Sequence, residues 1–292
     1  MNEDSILRDE AKALYRFDPE RRVYRLIEQA PTPLTDYSTE DASAWASFQK
    51  QLMSSNKSPE SYMFKPDIVR SEWEFRTRYF ERRGLLEGNV LDIGGGWGLL
   101  REWWRAGPSD VYVVHDPGGD SYEAGPHPIH RETHALGLAR PCTFVEGFGE
   151  SLPYADARFD SVVIASALDH VIDPERVLQE ASRCLRPGGR LLIFQHVEDL
   201  ATLVPGYHTP AKRLQRILRD PRRILGFVRS RISERLEGDA HIHHFTTASL
   251  RGLAEKRKLE AIRFDLVDAN TRTAAMECRK PGIEARTATA VA

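Results

Sequence analysis

The sequence predicts an α/β protein built around a doubly wound parallel sheet, and three observations point there. Strand and helix signals alternate from Asn89 onward. Apolar runs such as Val162 to Ala165 are continuous, as in strands covered on both faces. Four glycines, Gly94, Gly95, Gly96 and Gly98, fall within five positions directly after the first of these strands. Alternation of this kind places helices on both faces of a parallel sheet.

Taken in order, "NVLDIG" reads as the first strand and "WGLLREWWRAG" as a helix. "DVYVVHDP" and "PCTFVEG" read as strands, separated by a Gly-, Pro- and His-rich stretch with a short helix at about Ile129 to Leu138. The strand "FDSVVIASAL", the helix "PERVLQEASRCL" and the strand "GGRLLIFQHV" follow. A capped helix, "TTASLRGLAEKRKL", then precedes two strand-like runs, "EAIRFDLVDA" and "TAAMECRK", which brings the sheet to seven strands.

Residues 1–84 read as a helical leader broken by Pro-, Ser- and Asn-containing loops, with Tyr62 to Pro66 as part of a lid in the alternative reading, and residues 85–204 as the sheet core. Residues 205–240 carry apolar positions at helical spacing, Leu214, Ile217, Leu218, Ile224, Leu225, Val228 and Ile232, split by Asp220-Pro221 into two helices of a basic cap. Residues 241–280 return to the core, and 281–292 form a patternless tail expected to be mobile. The cap's Lys212, Arg213, Arg216, Arg219 and further arginines fit a solvated amphipathic face; attraction of an anionic substrate is the sharper alternative.

Composition bounds the partners. With 292 residues, 41% hydrophobic, 29% charged and a formal charge of -2, the chain can bury a large core and has no global signature of a nucleic-acid binder. "MNEDSILRDEAK" lacks the apolar core of a signal peptide and no run is long enough to span a bilayer, so a cytoplasmic location is expected. Cys142, Cys184 and Cys278 are too few and too widely spaced for a disulfide framework or a Cys-based zinc site. "HIHHF" at 241–245 lacks the carboxylate spacing that would complete a metal site. No metal is expected.

The glycine corner carries the functional signal. In an open parallel sheet the ligand sits beyond the carboxyl ends of the strands, where the first strand-to-helix turn lies. Glycines there admit unusual backbone angles and let a ligand approach the main chain. A dinucleotide fingerprint wants G-x-G-x-x-G, whereas Gly94, Gly96 and Gly98 form G-x-G-x-G, with Leu99 at the position of the third dinucleotide glycine. That spacing argues against a nicotinamide or flavin dinucleotide.

Asp92-x-Gly94-x-Gly96-x-Gly98 resembles the first motif of class I S-adenosylmethionine-dependent methyltransferases. The likeness continues through "VYVVHDP", "GFGESLPYADARFDSVVIASALDHVIDPERVLQEASRCLRPGGRLLIFQH" and "HHFTTASLRGL", from Asn89 to Leu253. It is closest to the small-molecule branch of that family. The resemblance implies a Rossmann-like seven-stranded sheet, mostly parallel with one antiparallel strand, S-adenosyl-L-methionine as cofactor and a small-molecule methyl acceptor, with no nucleic-acid partner.

The resemblance also distributes roles. Asp116, ahead of Pro117, would accept hydrogen bonds from the ribose hydroxyls, as the acidic residue about 20 positions past the glycine turn does in nucleotide-binding sheets. Asp92 would hold the turn or receive the ammonium of the methionine moiety, with Gly94, Gly95, Gly96 and Gly98 alongside and Ala165 at the end of the fourth strand. Gly147-Phe148-Gly149 stands where many relatives have a Gly-Asp pair at adenine, and here a ring over the base or a backbone reading of its edge are the alternatives. Glu150 aligns with an acidic position that is more often structural. Asp169-His170 resembles the acidic-His pair at the mouth of the site, where the imidazole either takes a proton from the acceptor or orders the loop. Competing classes are a non-catalytic binding module of the same fold, a nucleic-acid methyltransferase and an NAD-dependent oxidoreductase.

Overall fold

A computed structural model describes residues 6–27, 65–118, 125–199, 242–268 and 273–282. The core strands are β4 (Val90–Ile93), β6 (Tyr112–Asp116), β7 (Thr143–Glu146), β8 (Phe159–Ala165) and β9 (Leu185–His196), all mutually parallel in the order β7-β6-β4-β8-β9. Every residue of β4 and β6 is buried, the consequence of helices lying on both faces. At the far edge β11 (Thr273–Arg279) runs antiparallel to β9, and β10 (Glu260–Asp268) pairs with it in a hairpin. This is the mostly parallel α/β sheet that the alternation of signals implies.

The sheet is larger than seven strands, and the leader is only partly helical. Among the described residues it has nine strands, because β1 (Tyr15–Asp18) and β2 (Val23–Leu26) form an antiparallel hairpin whose second strand pairs in parallel with β7. The cause is local: Asp18 Oδ1 accepts from Glu20 N at 3.1 Å and Arg21 N at 3.2 Å, closing the turn between two alternating runs, "YRFD" and "VYRL". Before the hairpin comes a single turn, α1 (Asp9–Lys12); after it the long helix α2 (Pro66–Arg83) buries Val69, Tyr79 and Phe80.

The helix expected after the glycine turn is also corrected. Only a five-residue 3₁₀ turn, Leu99–Trp103, forms, and Trp104–Arg105 (β5) then extends to pair with Leu86–Glu87 (β3). The adjacent tryptophans have incompatible destinations. Trp103 stacks on Phe80 with ring centroids 5.4 Å apart, while the indole N–H of Trp104 donates to Gly88 O at 3.0 Å. Burying both rings requires the extended backbone that Trp104 adopts.

The remaining helices follow their caps. Two short helices, α3 (Pro128–Thr133) and α4 (Ala135–Ala139), lie in the Gly-, Pro- and His-rich region. Helix α5 (Pro174–Cys184) starts at Asp173, whose carboxylate accepts from Arg176 N, with Pro at its first turn. Helix α6 (Thr247–Lys256) starts with a capping box between Thr246 and Ser249. One core layer gathers Leu91, Ile93, Val113, Val162 and Ile164 with α5 and α6, and the other gathers Val90, Tyr112, Val114 and Val163 with Tyr79, Phe80 and Trp103. The cap at 205–240, Phe64 and Tyr62 of the leader, and the tail from 283 lie outside the described residues. Among the described residues no helix is long and apolar enough to cross a membrane.

Candidate cofactor and active site

The parallel pairing of β7, β6, β4 and β8 brings four chain segments to one end of the sheet: Gly94–Gly98, Asp116–Gly118, Gly147–Glu150 and Ala165–His170. The glycine turn is held from both sides. Gly94 N donates to His115 O at 2.8 Å, and Gly96 N donates to the Asp116 carboxylate at 3.0 Å. A Cβ on Gly94, whose φ is +68°, would sit 2.4 Å from the Ala167 methyl, so the turn and the segment after β8 touch only because that side chain is missing.

Beneath the turn lies Asp92, fully buried. Tyr112 donates its hydroxyl to Asp92 Oδ2 at 2.7 Å, while Asp92 Oδ1 has no hydrogen-bond partner among the described residues. A Cβ on Gly95 would come within 2.4 Å of the Asp92 carboxyl carbon, which is the physical reason for a glycine there. Burial raises the Asp92 pKa to about 7; the Tyr112 hydrogen bond and the charges of Arg76 and Arg101 pull it down, and the charge of Asp116 pushes it up.

That shift has a sign in stability. The folded state holds the Asp92 proton more tightly than the unfolded chain, whose ordinary value is 3.8, so this contribution is full below about 3.8 and is lost as pH rises to about 7. Asp92→Asn removes the dependence. We expect its melting temperature relative to the unsubstituted protein to be higher at pH 8 than at pH 4.5, read by calorimetry at both values. His115 and His134, whose neutral forms burial favours, contribute the opposite slope equally to both proteins and cancel.

Asp116 is nearly buried at the end of β6. Its two oxygens accept from Gly96 N and, at 2.8 Å, from Gly118 N, so it ties the glycine turn to the turn that begins at Pro117. A carboxylate offers about four acceptor positions, and hydroxyl donors are suited to them. Arg101 completes the turn from behind: its guanidinium donates to the carbonyls of Gly98 at 2.9 Å, Trp97 at 3.1 Å and Arg140 at 2.6 Å.

Next to Asp116, the Gly147–Gly149 turn rests on His115. Its Nε2 lies 3.1 Å from Phe148 O and its Nδ1 3.0 Å from the Tyr154 hydroxyl. A carbonyl only accepts, so Nε2 carries the hydrogen and Nδ1 accepts from Tyr154. Burial drives the His115 pKa down to about 4, which keeps the ring neutral. Gly147 is required because a Cβ there would lie 2.7 Å from the imidazole. Glu150 points away from the turn, accepting from Ile172 N at 2.8 Å and Asp173 N at 3.3 Å, so it orders the loop ahead of α5.

Asp169 and His170 lie in the loop after β8. His170 Nε2 is 3.7 Å from Asp169 Oδ1, with the imidazole side chain 18% exposed against 3% for the carboxylate. The Asp169 carbonyl accepts from Ile242 N and His243 N, and His243 Nε2 lies 2.9 Å from Val171 O. His243 therefore braces this loop, and His244 pairs with Glu198 at 3.2 Å; His241 lies outside the described residues. Ala165 ends β8, half-buried against the Val90–Trp103 core layer.

The supporting residues Tyr112, His115, Tyr154 and Arg101 are absent from the sequence reading. The one signal for them is compositional: a His and a Tyr in the otherwise apolar strand "YVVHD".

Comparison with known proteins points to a family. A family profile described as a methyltransferase domain matches residues 91–193, the span that holds the glycine turn, Asp116, the 147–149 turn and Asp169-His170. Residues 91–193 are similar to the methyltransferase domains of that family. Among curated relatives, the ubiquinone/menaquinone biosynthesis C-methyltransferase of Hahella chejuensis is 36% identical over 118 residues, 39% of this chain and 46% of that protein. The Pseudomonas paraeruginosa protein of the same name is 34% identical over 127 residues, 42% of this chain and 48% of that one. The chain thus spans about half the length of the curated relatives it matches. A crystal structure of a possible exported protein from Bordetella parapertussis superimposes with a TM-score of 0.50 at 17% identity, covering 83% of this chain and 87% of that one, which speaks for the fold.

The methyltransferase domain fits the cofactor its family uses. Asp92 Oδ1 is a buried acceptor with no partner among the described residues, Asp116 stands at the end of the neighbouring strand, and the turn between them packs so closely at Gly94 and Gly95 that a side chain would collide with Ala167 or Asp92.

Proposed function

We propose that the chain transfers a methyl group from S-adenosyl-L-methionine to a small organic acceptor, with carbon as the acceptor atom favoured by its C-methyltransferase relatives and nitrogen or oxygen as alternatives. The observation that carries this is the convergence of Asp92, the Gly94–Gly98 turn and Asp116 at the carboxyl ends of adjacent parallel strands. When bound, the cofactor supplies a sulfonium methyl open to in-line displacement. Asp116 would hold its ribose, the glycine turn and Asp92 its methionine end, and the Gly147–Gly149 turn its base.

What the protein adds is alignment, the dominant contribution when two reactants meet in line. A base is needed only where the acceptor must lose a proton, and His170 is a part-exposed imidazole in the loop after β8, whose Ala167 packs against Gly94. Under this reading His170→Ala lowers kcat by about 10²-fold or more, a typical general-base contribution, and leaves S-adenosylhomocysteine affinity unchanged. Loss of affinity with kcat intact would instead assign His170 to loop order.

Incubation with methyl-labelled cofactor and a panel of phenols, quinols and amines tests the function. Labelled product that disappears in Asp116→Ala supports it. A protein that binds the cofactor yet labels nothing across the panel would be the non-catalytic binding module.

A further inference from the structure

We propose that Asp92 gives up its carboxyl proton to solvent when the cofactor's ammonium binds, and that Tyr112 is the positioning residue that eases this ionisation. The inference rests on the cofactor reading above and adds to it a proton linkage that cofactor binding alone does not require.

The carboxyl is built into an apolar layer. Alternation along β4 puts Asp92 on the same face as Val90, whose layer holds Val114 and the rings of Tyr79, Phe80 and Trp103. Asp92 is fully buried there. Its one hydrogen bond comes from Tyr112 on the neighbouring strand, at 2.7 Å to Oδ2, and Oδ1 has no partner among the described residues. Tyr112 is itself held in place, 1% exposed, with its ring edge-on to Trp104 at 5.4 Å.

The charged groups around Asp92 do not fix it as an anion. Arg101 gives its guanidinium to the carbonyls of Trp97, Gly98 and Arg140, and Arg76 of α2 lies 3.9 Å from Glu72. Asp116, at the end of β6, opposes a second negative charge. Cys142, in the same layer, is kept a thiol by burial. A lone carboxylate costs most in such surroundings, so the neutral acid is favoured and the pKa stands at about 7.

A bound cation reverses that preference. A Cβ on Gly95 would meet the Asp92 carboxyl carbon at 2.4 Å, so a cation held by the turn is separated from Asp92 by little more than main chain. Opposite charges attract several times more strongly in such a setting than in water. The O–H bond of Asp92 then breaks, the proton passes to the buffer, and one negative charge is left facing one positive charge. Tyr112 donates to the carboxylate, which favours the ionised form. By linkage, a ligand that ionises Asp92 binds best where Asp92 is already ionised. Affinity therefore rises with pH up to the Asp92 pKa and is level above it. His115, held neutral by burial down to about pH 4, is no source of the proton in this range.

Calorimetric titration of the full-length protein with S-adenosylhomocysteine tests this when run in pairs of buffers that take up a proton with different heats: phosphate and bis-Tris at pH 6, phosphate and Tris at pH 8. We expect the heats to report about one proton released per ligand at pH 6 and close to none at pH 8, with affinity about tenfold weaker at pH 6. The Asp92 carboxyl carbon, followed by NMR in the unsubstituted protein, should be protonated at pH 6 and become ionised on ligand addition. Asp92→Asn should bind without releasing a proton. Tyr112→Phe should move the rise in affinity to higher pH, whereas a tyrosine needed only for packing would lower affinity equally at every pH. Saturable binding with equal heats in the two buffers at pH 6 would overturn the inference and leave the cofactor assignment intact. Binding at neither pH would overturn both.

Discussion

Gly95→Ala is expected to abolish measurable S-adenosylhomocysteine binding and to lower the unfolding free energy by about 1–3 kcal/mol, the usual range for overpacking a dense site. The added methyl would fall 2.4 Å from the carboxyl carbon of Asp92, and Asp92 has nowhere to go, being buried and bonded to Tyr112. The turn must therefore move, and with it the main chain on which the cofactor's methionine end would lie. Chemical denaturation of Gly95→Ala, Asp92→Ala and the double variant separates the steric cause from others. The double variant should be more stable than the sum of the single losses predicts, because removing the carboxylate makes room for the methyl. Additive losses would place the strain elsewhere.

Asp116→Ala is expected to weaken S-adenosylhomocysteine binding by about 1–3 kcal/mol for each charge-assisted hydrogen bond lost to the ribose. A second loss accompanies it, since Gly96 N and Gly118 N would each lose their acceptor and the glycine turn its tether to β6. Asp116→Asn separates the two roles. Its amide can keep one acceptor oxygen but turns a donor toward one of the two backbone N–H groups, so it should fall between the unsubstituted protein and alanine in affinity. Unchanged affinity in either variant, measured by calorimetry, would remove Asp116 from the ribose site.

The parallel core was legible because strands buried on both faces leave continuous apolar runs. Val162 to Ala165 on β8, and Val113 with Val114 on β6, have no other economical explanation. The N-terminal hairpin was not legible, because strands of only four residues, Tyr15–Asp18 and Val23–Leu26, are too short for their alternation to be told from amphipathic helix; the Asp18-Pro19 turn was the available clue. The tryptophan pair illustrates a different limit. Helical spacing in "LLREWW" is real, yet Trp103 and Trp104 have partners on separate elements, and tertiary packing overrode local preference.

At the site, the positions of Asp92, the glycines and Asp116 could be read from spacing, whereas their mutual engagement could not. Asp116 serves the protein's own turn through both oxygens, and the shelf of His115 and Tyr154 under Phe148 depends on residues 39 apart in sequence. Hydrogen bonds across parallel strands are invisible to a motif, which registers each strand end separately.

On the proposed function the glycine corner holds an S-adenosyl nucleoside and no dinucleotide. The direct measurement is calorimetric titration of the full chain with S-adenosylhomocysteine, with NAD titrated in parallel under the same buffer. Saturable binding of the first with one site per chain, and no heat from the second, is the predicted result. Saturable NAD binding, or silence toward S-adenosylhomocysteine, would contradict the account.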